Sequence, residues 1–188
     1  MPTSPDDRPR VGISRCLLGD EVRYDGGHKR DAFLVDILGG LVQWVPVCPE
    51  VEIGMGTPRE PIHLVAAPDG AASGAHRVRL LGVHSKRDWT ERAGAWSRGR
   101  IDDLRSTHLA GFVLKANSPS CGIDGVPIED GGGAEAGTGR GLFAQALIEA
   151  LPDLPIEDER RHADPAIREA FIARVFAHHR AHTAQRHR

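Results

Sequence analysis

What this sequence lacks narrows it first. The chain of 188 residues has no run of about 18 apolar residues, so no segment reads as a membrane span. Met1 to Arg10 is polar, carries three prolines and has no apolar core. It does not read as a secretory signal, and the expected location is the cytoplasm. Aromatic residues make up 5%, too few for the stacking platforms that hold single strands. Excess positive charge is missing as well. The 24 basic residues face 26 acidic ones, which gives a formal net charge of −2 and no field to hold a nucleic-acid polymer. The basic stretch Arg180–Arg188 reads as a frayed helix end. The glycine-rich stretch Gly131–Gly141 lacks the Gly-Lys-Ser/Thr ending of a phosphate loop and reads as a lid or surface loop. No Gly-x-Ser-x-Gly nucleophile elbow occurs. Cysteine is scarce, at three, an odd number that cannot fully pair and shows no CxxC spacing. A chain of this length buries roughly 70% of its unfolded surface and needs no disulfide staples.

What is present alternates between strands and helices. Val11–Ser14 reads as a buried strand. Asp31–Leu38 reads as a short helix with an apolar face of Phe33, Leu34, Ile37 and Leu38, stopped by Gly39-Gly40. Leu41–Val45 is a second strand, and Leu109–Lys115 a third. Ile62–Val65 and His76–Val83 pattern as a hairpin whose connection, Ala66–Ala75, is expected on the surface and mobile. Asp88-Trp-Thr-Glu91 resembles a capping box, with Trp89, Ala93, Trp96 and Leu104 at helical spacing behind it. Leu142–Leu151 is helical, and Leu154–Ile156 fits a short edge strand. Asp164-Pro165 opens a last helix to about His182, burying Ile167, Phe171, Ile172, Val175 and Phe176. The expected fold is α/β: a single three-layer, loosely Rossmann-like domain with a mostly parallel sheet and a hairpin insertion. It should occupy residues 11–182, between a flexible segment, 1–10, and a frayed tail, 183–188. The histidines His178, His179, His182 and His187 read as a solvated helix terminus.

Each cysteine follows a strand of the expected core: Cys16, Cys48 and Cys121, separated by 32 and 73 residues. In an open parallel sheet the loops at the carboxyl ends emerge on one edge, where ligands bind. Three thiolates brought together there repel one another and call for a cation. With a fourth position open, they suit a 4Fe–4S cluster or a catalytic zinc. Buried structural thiols are the plain alternative. Glu50 and Glu52 follow Cys48 closely, and a carboxylate so placed can act as a general base toward water. Ser118 and Ser120 precede Cys121 and can donate to a substrate or to ligand sulfurs. Tyr24-Asp-Gly-Gly-His28-Lys29-Arg30 packs many functional groups into one turn.

Taken together, several of these stretches resemble the thiouracil desulfidase family, long carried as a domain of unknown function. They are Cys16-Leu-Leu-Gly19, Val22–Arg30, Val45–Gly54, Gly56-Thr-Pro-Arg59, Ser118-Pro-Ser-Cys-Gly122, Gly139–Ala144 and Leu154–Glu157. They run in order along nearly the whole chain. Ile156–His162 departs from the family pattern, which bears on substrate fit. The resemblance implies a 4Fe–4S cluster on Cys16, Cys48 and Cys121, with one iron open to the sulfur of a thiolated substrate. It implies a hydrolytic, non-redox conversion of 2-thiouracil to uracil and hydrogen sulfide. On the matching positions Glu50 and Ser118 are the expected catalytic side chains, with Glu52 and Ser120 as close competitors. Tyr24, Asp25, His28, Arg30, Arg59 and Ser120 are the expected substrate contacts, and Arg30 and Arg59 could hold a phosphate. The expected partner is a small thiolated nucleobase or nucleoside, with no nucleic-acid polymer and no membrane. Two other readings stand beside this one: a three-cysteine zinc hydrolase, and a non-catalytic iron–sulfur sensor or sulfur carrier.

Overall fold

The computed structural model describes residues 7–67 and 78–186. Four parallel strands form the main sheet: β1 (Arg10–Ser14), β2 (Gln43–Val47), β5 (Gly111–Leu114) and β8 (Ile156–Asp158), in the order β2-β1-β5-β8. β1 sits in the middle, with Gly12 opposite both Val45 and Phe112. β8 closes one edge against β5.

The side-chain alternation of these strands builds two cores. On one face Val11, Ile13 and Val113 pack with Leu17, Leu34 and Leu38, and with Phe171 and Val175 of α4 (Pro165–Arg186). On the other, Val47, Phe112 and Leu114 meet Ile101 and Leu104 of α2 (Thr90–Ser106), and Phe143 and Leu147 of α3 (Leu142–Ala150). Parallel strands covered on both faces read as apolar runs, as these do. Gly12 is required by packing: a Cβ there would lie 2.2 Å from the Phe112 ring. Helices on both sides of one sheet make the expected three layers. Among the described residues no helix is long and apolar enough to cross a membrane.

The structure departs from the sequence-based expectations in several places. The expected hairpin forms, with β3 (Ile62–Ala66) antiparallel to β4 (Val78–Gly82). It does not extend the parallel sheet but joins β6 (Val126–Glu129) and β7 (Glu135–Gly139) in a second sheet of order β4-β3-β6-β7. Most of the connection expected to be mobile, residues 68–75, and the first two residues of the strand expected over His76–Val83 lie outside the described residues. The glycine-rich stretch expected as a loop therefore contains a strand. Its residues, Glu-Ala-Gly-Thr-Gly, have little strand propensity, and backbone pairing with β6 imposes the conformation. Asp31–Leu38 is not one α-helix but a π-helical turn, Phe33–Ile37, followed by a 3-10 turn, Leu38–Gly40. That change of pitch buries Leu34 and Leu38 and turns Ile37, expected to be buried, outward to 60% exposure.

The expected capping box at Asp88 shifts by one residue: Trp89 is the N-cap of α2 and carries no side-chain cap bond, while Asp88 Oδ1 accepts the Thr90 N–H at 2.9 Å from just outside the helix. At α4, Asp164 Oδ1 accepts the Ala166 N–H at 2.8 Å with Pro165 opening the helix. Phe171 and Val175 of α4 are fully buried, while Ile167, Ile172 and Phe176 are only partly covered.

Candidate functional site

The carboxyl ends of β1, β2 and β5 deliver Cys16, Cys48 and Cys121 to one cavity of about 510 Å³. Each cysteine is held by a different local device. Cys16 lies on a 3-10 turn, Arg15–Leu18, closed by Gly19 at φ 102°. The Cys16 carbonyl accepts N–H groups from Gly19 (3.3 Å) and Lys29 (2.8 Å), which folds the segment from Val22 to Lys29 back over the cavity.

Cys48 is the N-cap of the short helix α1 (Pro49–Glu52), with Pro49 at its first position. Glu52 Oε1 accepts the Cys48 N–H at 2.9 Å, the reciprocal arm of a capping arrangement, and Glu52 Oε2 lies 3.2 Å from Arg100 of α2. Glu52 thus faces away from the cavity, and Glu50 borders it.

Cys121 sits in a loop built around Ser118, whose Oγ accepts the N–H groups of Ser120 (3.2 Å) and Cys121 (3.1 Å). With both acceptor positions used, the Ser118 hydroxyl keeps its own proton to donate. The carbonyls of Pro119 and Ser120 accept the first free N–H groups of α3. Gly141 allows that approach, since a Cβ there would fall 2.6 Å from the Ser120 carbonyl oxygen.

All three thiols are buried and free. Burial and the neighbouring Cys48 push the Cys16 thiol up to about 12, with Lys115 opposing. Burial and Glu50 raise Cys48, opposed by the Val51 N–H, Arg59 and Arg15. Cys121 is raised well above its ordinary range by burial and Glu50, then by Cys48 and Cys16, while Ser14 opposes. The thiols feel one another, so the topology has brought them together. Three buried thiols that resist ionisation form a donor set that a cationic group would stabilise.

The expected residues separate cleanly. Glu50, Ser118, Tyr24 and Arg59 border the cavity together with the cysteines. Asp25 turns back on its own loop, accepting the Gly27 N–H at 3.0 Å, and that bond with Arg23 lowers its pKa. His28 Nδ1 accepts the Arg30 N–H at 3.1 Å, and Arg30 reaches Asp36 at 2.5 Å. Ser120 is buried at 2% exposure beneath the loop. The residues that sequence reasoning missed are cations and small polar groups: Ser14, Arg15, Arg23, Lys115 and Asn117 also border the cavity, as does Lys29 of the turn singled out from the sequence. Lys115 is fixed by Glu159 and by the Ala116 carbonyl at 2.8 Å. The position after β5 is the one signal that could have marked it.

The histidines of α4 lie elsewhere. His178 and His182 border a separate cavity of about 300 Å³ with Leu109, at the start of β5. Their Nε2 atoms are 3.3 Å apart, and His178 is half-buried rather than solvated. His187 lies outside the described residues.

A parallel sheet with three thiols, a carboxylate and a hydroxyl on one cavity at its carboxyl edge is the arrangement of an α/β enzyme site. The sequence model of the 2-thiouracil desulfurase family matches residues 11–159, and the chain belongs to that family. The fold is similar to the solved structure of TudS, described as a [4Fe-4S]-dependent thiouracil desulfidase. The two are 25% identical, with a TM-score of 0.64, and the match covers 88% of this chain and 99% of that one. An uncharacterised protein of Bacillus subtilis (strain 168), YbbK, is 29% identical over 111 residues, 58% of this chain and 71% of that protein.

Proposed function

We propose that this chain removes sulfur hydrolytically from a thiolated pyrimidine, converting 2-thiouracil and water to uracil and hydrogen sulfide. The family supports desulfuration of thiouracil, and the similar TudS fold supports a 4Fe–4S cofactor. Cys16, Cys48 and Cys121 hold that cluster. The donor set fits it: three buried, free thiols from three strand ends share one cavity. The family and the similar fold of a [4Fe-4S]-dependent desulfidase favour the cluster over the zinc alternative.

When bound, such a cluster would supply a Lewis-acidic iron to polarise the thiocarbonyl group. The remaining work falls to side chains. Glu50 takes a proton from water as the oxygen adds to the thiocarbonyl carbon. Ser118 donates its hydroxyl proton in a hydrogen bond that orients the ring. Tyr24, 42% exposed at the mouth, offers its ring as a wall for the pyrimidine. The C–S bond breaks with its electron pair on sulfur, which leaves as sulfide after protonation, and no net redox change occurs. Residues 11–182 carry this activity, and a thiolate-bound cluster suits the reducing cytoplasm.

The observation that carries the proposal is the juxtaposition of three buried thiols and Glu50 on one cavity wall. Glu50→Gln, reconstituted anaerobically, should retain iron and sulfide and lose about 10²–10⁴-fold in turnover of 2-thiouracil. Near-native turnover in that variant would remove Glu50 as the base.

A further inference from the structure

We propose that Arg59 is a positioning residue that acts through Glu50, and not a cation that grips substrate. The inference rests on the reading of Glu50 as the base. The Arg59 side chain is only 6% exposed, and its guanidinium is committed on two nitrogens. Nη1 donates to the Val22 carbonyl at 3.0 Å and the Gly56 carbonyl at 2.8 Å, with Thr57 Oγ1 at 3.4 Å. Nη2 donates to Glu50 Oε2. The backbone N–H of Arg59 adds a bond to the Tyr24 carbonyl at 2.9 Å.

One residue therefore joins three walls of the cavity: the Val22–Tyr24 segment, the turn at Gly56, and α1 with its carboxylate. The consequence for Glu50 is specific. Oε2 is clamped, while Oε1 has no protein partner among the described residues. A carboxylate pinned at one oxygen holds the other in a defined direction, which a base that must meet a water needs. Turning the guanidinium toward a substrate anion would cost its bonds to Glu50, Gly56 and the carbonyl of the buried Val22. Lysine cannot reproduce the fork, because one ammonium does not span a carboxylate and two carbonyls in plane.

The test is a double-variant cycle on 2-thiouracil turnover with anaerobically reconstituted protein. Arg59→Met should lower kcat about 10–100-fold, with KM within about twofold and iron and sulfide content unchanged. In the Glu50→Gln background the same substitution should cause no further loss, since Arg59 has nothing left to aim. Arg59→Lys should recover part of kcat, and it carries the same cycle if the methionine variant does not fold. A severalfold rise in KM with kcat intact, or losses that multiply in the double variant, would overturn the inference and leave Glu50 as base. Near-native turnover of Glu50→Gln alone would instead overturn the base assignment, and this inference with it.

Discussion

The turn that follows β2 and the loop that follows β5 meet the same demand with different chemistry. Each must hold one cysteine at the sheet edge, and each carries a pair of identical residues two positions apart. After β2 the pair is Glu50 and Glu52; after β5 it is Ser118 and Ser120. In both, one member borders the cavity and the other is spent on the scaffold. Glu52 caps the Cys48 N–H and reaches α2, and the Ser120 carbonyl receives the start of α3. The two regions differ in which member also builds. The Glu50 carboxylate makes no bond to a backbone N–H of its own turn and is held from outside by Arg59, whereas Ser118 Oγ accepts two backbone N–H groups of its loop. The cavity-facing side chain is held by a distant residue after β2 and by its own loop after β5.

Substitutions can break or sharpen that contrast. The largest effect is expected at the cysteines themselves: Cys121→Ser should abolish the cluster, read as loss of iron, sulfide and visible absorption. A fully occupied cluster in that variant would refute the three-ligand assignment. Next comes Glu50→Gln, with its turnover loss and an intact cluster. Smaller again is Glu52→Ala. Removing the capping acceptor should destabilise the protein by about 1 kcal/mol, seen in denaturant melts, while turnover per cluster stays within about twofold. A turnover loss as large as that of Glu50→Gln would show that the two acids are not divided as described.

The smallest expected effect concerns pH and lies away from the site. His162 is 4% exposed and packs 5.0 Å from Phe171. Burial lowers its pKa, with Asp31, Asp158 and Glu159 pulling the other way and Arg168 adding to the lowering. The unfolded chain therefore binds this proton first. Stability due to His162 is full above about pH 6.5 and falls as pH drops through that value toward the lower folded pKa. Glu157, raised by burial, contributes a slope of opposite sign, because its folded carboxyl takes a proton before the unfolded one does. Comparing melting temperatures of the native chain and His162→Gln between pH 7 and pH 5 isolates the histidine. The variant should show the shallower acid-side decline, and an unchanged slope would refute the assignment.

Much of this is legible in the sequence, for physical reasons. Buried parallel strands are short apolar runs, and Val11–Ser14 and Gly111–Leu114 stand out as such. The cysteines are legible because strand ends in a parallel sheet share an edge. β7 is not legible, because its residues are poor strand formers that adopt the conformation only when β6 is beside them. The division between Glu50 and Glu52 is equally hidden. Both follow Cys48 closely, and only the helical twist of α1 decides which carboxylate returns to the backbone. Arg59 reads as a free cation in one dimension. Its commitment to Val22, Gly56 and Glu50 exists only once three separate segments have met.

The pairing of β1 with both β2 and β5 has a consequence in time. Cys16 and Cys48 become neighbours once the first two strands of the sheet are paired. Cys121 joins them only after β5 has docked on the far side of β1, with the β3–β4 hairpin and α2 in between along the chain. Synthesis runs from the N-terminus, so a growing chain presents its thiols two at first and the third much later. The cavity that gathers all three thiols is therefore completed only once β5 is in place beside β1.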